Sequence, residues 1–150
     1  MRLGGHHLIV FFPALSWSAF VNITVDNTDS SIEYTGTWEP PTDHKSTLNY
    51  GGNHAYSSDP QASVTWVFTG VAVYYVSPLW PYPVSTEITL DNEIRETVNL
   101  TDPNASPTSG GSESSLAAIT WWKNGLDNNE HRLLLTMPVE GNSVVVDAFM

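Results

Sequence analysis

Two aromatic side chains, Trp80 and Tyr82, lie among three prolines in the segment 78–83. Sugar rings pack their C–H faces on aromatic rings, and their hydroxyl groups hydrogen bond to polar neighbours. The prolines restrict the loop, so less conformational entropy would be lost when a ligand binds. The segment therefore predicts a carbohydrate-binding loop with exposed rings. The alternative is a rigid loop whose rings cap one end of a hydrophobic core.

Further aromatic residues are candidates for the same role, namely Trp38, Tyr50, Tyr56 and the pair Trp121-Trp122. Because neighbouring side chains of a strand point to opposite faces, one ring of the tryptophan pair should be buried and the other exposed. We select Tyr56 and Trp122, together with Trp80 and Tyr82, as the predicted carbohydrate-binding residues.

Catalytic motifs are absent from the sequence. It contains no Gly-x-Ser-x-Gly, no His-Glu-x-x-His, no phosphate-binding loop and no cysteine. A glycosidase needs two carboxylates that face each other across a cleft, but Asp/Glu pairs are too plentiful among the 16 acidic residues to be informative. His44, His54 and His131 are scattered, and isolated histidines usually lie on the surface. The sequence therefore predicts a protein that is not an enzyme.

Charge and length limit the partners and the architecture. The 150 residues include 5 Lys and Arg against 16 Asp and Glu, a formal charge of −11. Such a surface repels phosphate backbones and anionic lipid headgroups, which excludes nucleic acid and an acidic membrane as expected partners. The length suits one domain with its own core. We expect a single domain over 19–150.

The first 18 residues have the features of a secretory signal peptide. Arg2 precedes a short apolar run from Leu8 to Leu15, and small residues follow at Ser16 and Ser18. The run is too short to span a bilayer; the alternative is a buried first strand. Three Asn-x-Ser/Thr sequences follow, and they predict N-glycosylation at Asn22, Asn99 and Asn104. We expect a secreted, extracellular glycoprotein.

Apolar residues alternate along the rest of the chain, as in strands with one buried face. The pattern predicts strands over 20–25, 31–34, 63–68, 71–76, 86–90, 94–100, 116–122, 132–137 and 143–149. Thr69-Gly70 and Asp91-Asn92-Glu93 are predicted hairpin turns, and Trp66 is a predicted core residue. A further short strand is possible near 48–50 or 55–57, and the polar loop 101–115 should be mobile. The fold is therefore predicted as all-β, with about eight or nine antiparallel strands in two packed sheets.

Four stretches in order, 25–38, 63–76, 90–92 and 125–150, resemble a galactose-binding-domain-like jelly roll that is abundant in secreted and cell-surface proteins of mushroom-forming fungi. The same jelly roll carries many carbohydrate-binding modules. The resemblance implies a jelly-roll β-sandwich and a binding module rather than a catalyst. It differs from modules appended to hydrolases in that the chain ends at Met150 with no attached enzyme.

Related carbohydrate-binding modules often hold a structural calcium, with an acid of the last strand and acids near the first strand as ligands. The matching positions are Asp147, Asp26 and Asp29, which would supply the oxygen ligands that Ca²⁺ prefers. The resemblance thus implies a calcium site, although the Glu-x-Glu pair that commonly opens such modules is missing. Alternatively, Asp147 faces solvent or accepts hydrogen bonds from the opening turn.

Two functions remain open on the sequence alone. The first is a secreted, lectin-like, non-catalytic module that binds a cell-wall or plant-matrix glycan through its loop aromatics. The second is a glycosylated accessory subunit that binds a larger secreted protein through a flat sheet face.

Overall fold

A computed structural model describes residues 20–150, and the predicted signal peptide lies outside this range. Strands are the dominant element. They are β1 (Val25–Asp26), β2 (Ile32–Thr35), β3 (Ala55–Ser57), β4 (Ser63–Ser77), β5 (Ser85–Leu90), β6 (Ile94–Asn99), β7 (Ala118–Thr136), β8 (Val144–Val146) and β9 (Ala148–Phe149). Two single-turn 3₁₀ helices, Pro41–His44 and Tyr50–Gly52, lie between β2 and β3.

The strands form two antiparallel sheets, as the sequence predicted. The seven-stranded sheet has the order β1-β9-β4-β7-β5-β6, with β2 also paired to β4, and the second sheet pairs β3 with β8. The two sheets enclose the core: the Tyr75 hydroxyl of β4 reaches across and donates to the Val145 carbonyl of β8 at 2.8 Å. The all-β sandwich prediction is confirmed.

Two strands are much longer than predicted. The predicted turn at Thr69-Gly70 is wrong, because β4 runs through it and pairs with β7 along both of its halves. The register shifts between Gly70 and Ala72, so the glycine marks an irregularity in the ladder rather than a chain reversal. The segments 116–122 and 132–137, predicted as two strands, likewise belong to the single strand β7.

Alternation correctly separates buried from exposed residues in these strands. Trp66 is buried and stacks on Phe149 with ring centroids 5.1 Å apart. Trp121 is 7% exposed and Trp122 is 57% exposed, which confirms that the pair divides between the two faces of β7. The Asp91-Asn92 hairpin is also confirmed, since both residues have positive φ and join β5 to β6.

The N-terminal and loop predictions have mixed outcomes. Only Val25 and Asp26 of the predicted first strand are paired, and Phe20 and Val21 are exposed. The short strand near 55–57 is present as β3 and pairs with β8. In the described range, no helix is both long and apolar enough to cross a membrane.

The loop 101–115 is attached to the body of the domain along the segment that precedes β5. Asp102 N–H donates to the Trp80 carbonyl at 2.7 Å, and Thr108 N–H donates to the Pro81 carbonyl at 2.8 Å. The Tyr82 hydroxyl donates to the Gly111 carbonyl at 2.8 Å. The polar composition predicted a mobile loop, but backbone hydrogen bonds fix its course without much apolar burial.

Candidate functional site

A cleft of about 440 Å³ opens where five connecting segments meet at one end of the sandwich. We call it the aromatic cleft. Its principal side chains come from the loop before β3, from β3 itself, from the segment 80–84 and from the loop 101–115. They are Glu39, His44, His54, Tyr56, Trp80, Tyr82 and Glu113. Three of the four predicted carbohydrate-binding residues, Tyr56, Trp80 and Tyr82, thus line one cleft.

Trp80 is only 3% exposed, and the prediction that it presents an open ring to solvent is wrong. Its backbone N–H donates to the Leu100 carbonyl at 2.9 Å, and Trp80 also forms a β-bridge with Thr101. The loop that follows β6 therefore passes over the indole and covers it. Trp80 belongs to the core and contributes the base of the cleft, while the half-buried Tyr82 contributes a wall.

Four rings form a continuous row along the cleft. The Trp80 indole meets the His54 imidazole edge to face at 5.4 Å, and His54 lies 4.8 Å from His44. His44 in turn lies 5.1 Å from Tyr56, with the ring planes 31° apart. Each ring restricts its neighbour, so the row is held in place before any ligand arrives.

His54 and Glu113 form a buried pair within the cleft. Nδ1 of His54 lies 2.9 Å from Oε1 of Glu113, and their side chains are 5% and 4% exposed. Burial alone would raise the pKa of Glu113, but hydrogen bonds from His54 and Asn49 more than offset it and lower that pKa to about 2. Glu113 is therefore a carboxylate at neutral pH. The pair also anchors the loop 101–115 against the 3₁₀ segment before β3.

A second pair of the same kind lies at the rim. Nε2 of His44 lies 2.9 Å from Oε2 of Glu39, and the Glu39 side chain is 46% exposed. The Glu39 N–H donates to the Tyr56 carbonyl at 3.0 Å, so β3 holds the rim segment in place. Carboxylates and imidazoles beside aromatic rings are the groups that hydrogen bond to sugar hydroxyls.

The histidines are not surface residues, as the sequence analysis expected. His54 and His131 are 4% and 9% exposed, and each is paired with a carboxylate. Only His44 remains partly accessible. The partners of His54 and His131 are distant along the chain, so no local sequence signal could have revealed them.

Trp122 lies apart from the cleft, on the exposed face of β7. It is paired across the strands with Tyr74 of β4, and Ile119 nearby is 45% exposed. It does not line the aromatic cleft. The structure therefore separates this predicted residue from the other three.

Two of the three predicted calcium ligands lie around the Tyr50-Gly51 turn. Asp147 is fully buried, its Oδ2 accepts from the Tyr50 N–H at 3.1 Å, and no described residue hydrogen bonds to its Oδ1. Burial, with smaller contributions from the charges of Asp26 and Glu113, raises the pKa of Asp147 to about 7. Asp147 thus does not face solvent. It accepts its hydrogen bond from Tyr50 rather than from the opening turn, whose Asn27 N–H bonds to the Asp147 backbone carbonyl.

Asp29 is not part of the same arrangement. It is exposed, and its Oδ1 accepts from the Ser31 N–H at 2.8 Å. Among the described residues, no three or more His, Asp or Glu side chains come together as a metal-binding group. The orphaned Oδ1 of Asp147 and the nearby Asp26 fit the oxygen chemistry of Ca²⁺, but two carboxylates leave most of the ligands to backbone carbonyls and water.

The predicted glycosylation sites are all accessible. Asn22, Asn99 and Asn104 are exposed, and none of them lines the aromatic cleft. Glycosylation itself stays a prediction.

No protein-family model and no curated protein matches the sequence. Solved structures share the fold. An exo-β-1,3-galactanase from Phanerochaete chrysosporium, solved with galactose, matches 88% of this chain and 29% of its own chain, at 12% identity and a TM-score of 0.57. A family two carbohydrate esterase from Cellvibrio japonicus matches 84% of this chain and 32% of its own, at 12% identity and a TM-score of 0.50.

The catalytic unit of a thermostable α-1,3-glucanase from Streptomyces thermodiastaticus has the same TM-score of 0.50 and 12% identity over 85% of this chain and 25% of its own. This chain therefore spans less than a third of the length of each of these proteins. At such identities the likeness shows the fold alone, a β-sandwich that occurs within carbohydrate-active proteins.

Proposed function

We propose that this domain is a non-catalytic, galactose-binding-domain-like module that binds a cell-wall or plant-matrix glycan in the aromatic cleft. The convergence of Tyr56, Trp80 and Tyr82 with two histidine–carboxylate pairs in one cleft carries the proposal. The cleft volume lies within the range of about 300–1,000 Å³ that is usual for small-ligand sites. The fold likeness to carbohydrate-active proteins supports it.

Tyr82 and Tyr56 are the rings that a sugar can reach, because both are half-buried while Trp80 lies beneath them. A pyranose would pack a C–H face on one of these rings and direct its hydroxyls to the Glu39 carboxylate and the imidazole of His44. The row of stacked rings and the buried Glu113 hold the site in shape, which reduces the entropy lost on binding.

The test is glycan binding by wild type and three variants, first on a glycan array and then by calorimetry with the strongest array ligand. Tyr82→Ala removes the ring and should weaken binding by about tenfold or more, the order expected for loss of a stacked ring with its surrounding contacts. Tyr82→Phe keeps the ring and removes only the hydrogen bond to Gly111, so it should bind nearly as well as wild type.

Trp122→Ala is the matched control, since it removes an exposed ring outside the cleft. Equal binding by wild type and Tyr82→Ala, or a loss confined to Trp122→Ala, would contradict the assignment of the cleft. Thermal unfolding of each variant checks that a lost affinity is not a lost fold.

The exposed face of β7 favours a second candidate, an accessory subunit that binds a larger secreted protein. Trp122 and Ile119 expose apolar area on this face, and this chain corresponds to under a third of the solved proteins that share its fold. Co-purification of a larger protein from culture fluid, lost in Trp122→Ala and retained in Tyr82→Ala, would support this candidate.

We further infer secretion, glycosylation at Asn22, Asn99 and Asn104, and a structural calcium held by Asp26 and Asp147. A bound cation would supply charge compensation to the buried carboxylate of Asp147 and a partner for its unbonded Oδ1.

A further inference from the structure

A second cleft of about 550 Å³ lies beside the aromatic cleft. We call it the Tyr34–Trp38 cleft. Its lining is mostly apolar and includes the residues Ile32, Tyr34, Trp38, Pro40 and Pro41, and Asn27, Thr28 and Asp29 add polar groups. None of the functions described above uses it.

The two aromatic rings of this cleft are fixed by their own polar atoms. The Tyr34 hydroxyl donates to the Asn27 carbonyl at 2.7 Å, and Nε1 of Trp38 donates to the Thr35 carbonyl at 2.9 Å. The rings meet edge to face at 4.9 Å, with an 82° angle between their planes. Their hydrogen-bonding groups are thus satisfied by the backbone, and what they offer a ligand is ring surface in a preset orientation.

The two clefts are adjacent because they share a wall. Glu39 lines both of them, and Ala55 and Tyr56 of β3 line one each. The segment that separates the clefts is rigid, since the Glu39 side chain is paired with His44 and two prolines follow it. A chain of sugars that leaves one cleft across Glu39 would enter the other without a change in the protein.

The charges that line both clefts are mainly negative. The aromatic cleft has the carboxylates of Glu39, Asp43 and Glu113 and one ammonium group, that of Lys45. The second cleft adds Asp29. Uronic acids would be repelled by this set, whereas neutral sugars would find acceptors for their hydroxyls beside apolar ring faces.

We propose that the two clefts form one extended binding site for a neutral polysaccharide, with the Tyr34–Trp38 cleft as the subsite for sugar units beyond the one held in the aromatic cleft. This inference rests on the proposed function. It requires that affinity increase with glycan length, and that the increase depend on Tyr34 and Trp38 while binding of the first unit does not.

The experiment is calorimetric titration of the full domain with β-1,3-galacto-oligosaccharides and β-1,3-gluco-oligosaccharides from mono- to hexasaccharide, with oligogalacturonates as the charged comparison. Wild type should gain about three- to tenfold in affinity as the neutral chain reaches the second cleft, the range expected for one additional aromatic contact. Tyr34→Ala should remove that gain and leave the affinity for the shortest bound member unchanged. Tyr82→Ala should weaken binding at every length.

Tyr34→Phe is the matched variant, because it keeps the ring and loses only the hydrogen bond to Asn27; retention of most of the length dependence would show that ring contact is responsible. Length-independent affinity in wild type, an unchanged gain in Tyr34→Ala, or tighter binding of the oligogalacturonates would overturn the extended site. If Tyr82→Ala still loses binding in those cases, the proposed function of the aromatic cleft stands. If no glycan binds in the array or in these titrations, both proposals fail.

Discussion

His131 is expected to stabilise the fold as a cation, because both of its ring nitrogens face acceptors. Nδ1 lies 2.7 Å from Oδ2 of Asp91, and Nε2 lies 2.8 Å from the Asp127 carbonyl. A neutral imidazole carries only one N–H and would leave one of these contacts without a hydrogen. The ring is 10% exposed and packs near Phe68 at 5.4 Å, so water replaces a lost contact poorly.

The pKa shifts of the two partners define the pH range of this effect. The Asp127 carbonyl and then Asp91 raise the pKa of His131 above its ordinary value of about 6.5. The stabilisation is therefore complete below about pH 6.5 and is lost as the pH rises through the folded-state pKa. Burial would raise the pKa of Asp91, but hydrogen bonds from the Arg132 N–H and from His131 lower it. Its contribution is present above about pH 4 and is lost as the pH falls through its lowered pKa.

The expected magnitude follows from the hydrogen bond that is lost. A hydrogen bond to a charged group contributes about 1.5–3 kcal/mol, and the Asp91 side chain is 34% exposed, so solvent screening reduces this. We expect His131→Gln to lower the free energy of unfolding by about 1–2 kcal/mol at pH 5.5. The melting temperature should fall by about 2–8 °C.

Urea unfolding, followed by tryptophan fluorescence at pH 5.5 and pH 9.5, measures this effect. Wild type, His131→Gln, Asp91→Asn and the double variant form a mutant cycle that isolates the pair from other groups that titrate over the same range. Asparagine suits position 91 because the residue has φ of 55°. The difference between wild type and His131→Gln should shrink at pH 9.5. An equal or larger difference there, or a coupling energy near zero at pH 5.5, would refute a charged His131.

Two further predictions concern the region of the buried Asp147. Calcium should raise the melting temperature of wild type at pH 7.5 and EDTA should reverse the rise, because a cation bound only by the folded state offsets the burial of a carboxylate whose pKa is about 7. Asp147→Asn should abolish the response while the exposed control Glu33→Gln keeps it, and a wild type indifferent to both reagents would eliminate the site. Gly51→Ala should lower the free energy of unfolding by at least about 1 kcal/mol more than Gly52→Ala in denaturant titrations. Both glycines have positive φ, but only at position 51 would a methyl group collide with Oδ1 of Asp26; equal losses would contradict this close contact.

Most of the fold could be predicted from the sequence because strand burial is a local property. A residue that alternates with polar neighbours must face the core, and this rule correctly places Trp66, Trp121 and Trp122. The rule gives no information on whether two apolar runs are one strand or two. Gly70 permits a tight turn as well as a bulge, and only the pairing of β4 with β7 on both sides of it decides for the bulge.

The candidate site could be predicted only in part, because its geometry depends on segments that meet from distant positions. Composition identified Trp80 and Tyr82 as unusual, and the structure places both in the cleft. Whether a loop tryptophan is exposed depends on what covers it, and here the cover is the segment after β6, which bonds to Trp80 through Leu100 and Thr101. No property of residues 78–83 contains that information.

Glu113 shows the same limit most clearly. It lies in a Ser- and Gly-rich stretch whose composition is typical of a mobile loop, yet its side chain is 4% exposed against His54. The loop is held by backbone hydrogen bonds to Trp80 and Pro81, which any sequence able to adopt those dihedral angles can make. Side-chain composition therefore carries little signal for its course. The rigid strands β5 and β6 fix the ends of the segments that meet at the cleft, and the polar groups of the site are added by connections whose positions follow from the fold rather than from their own residues.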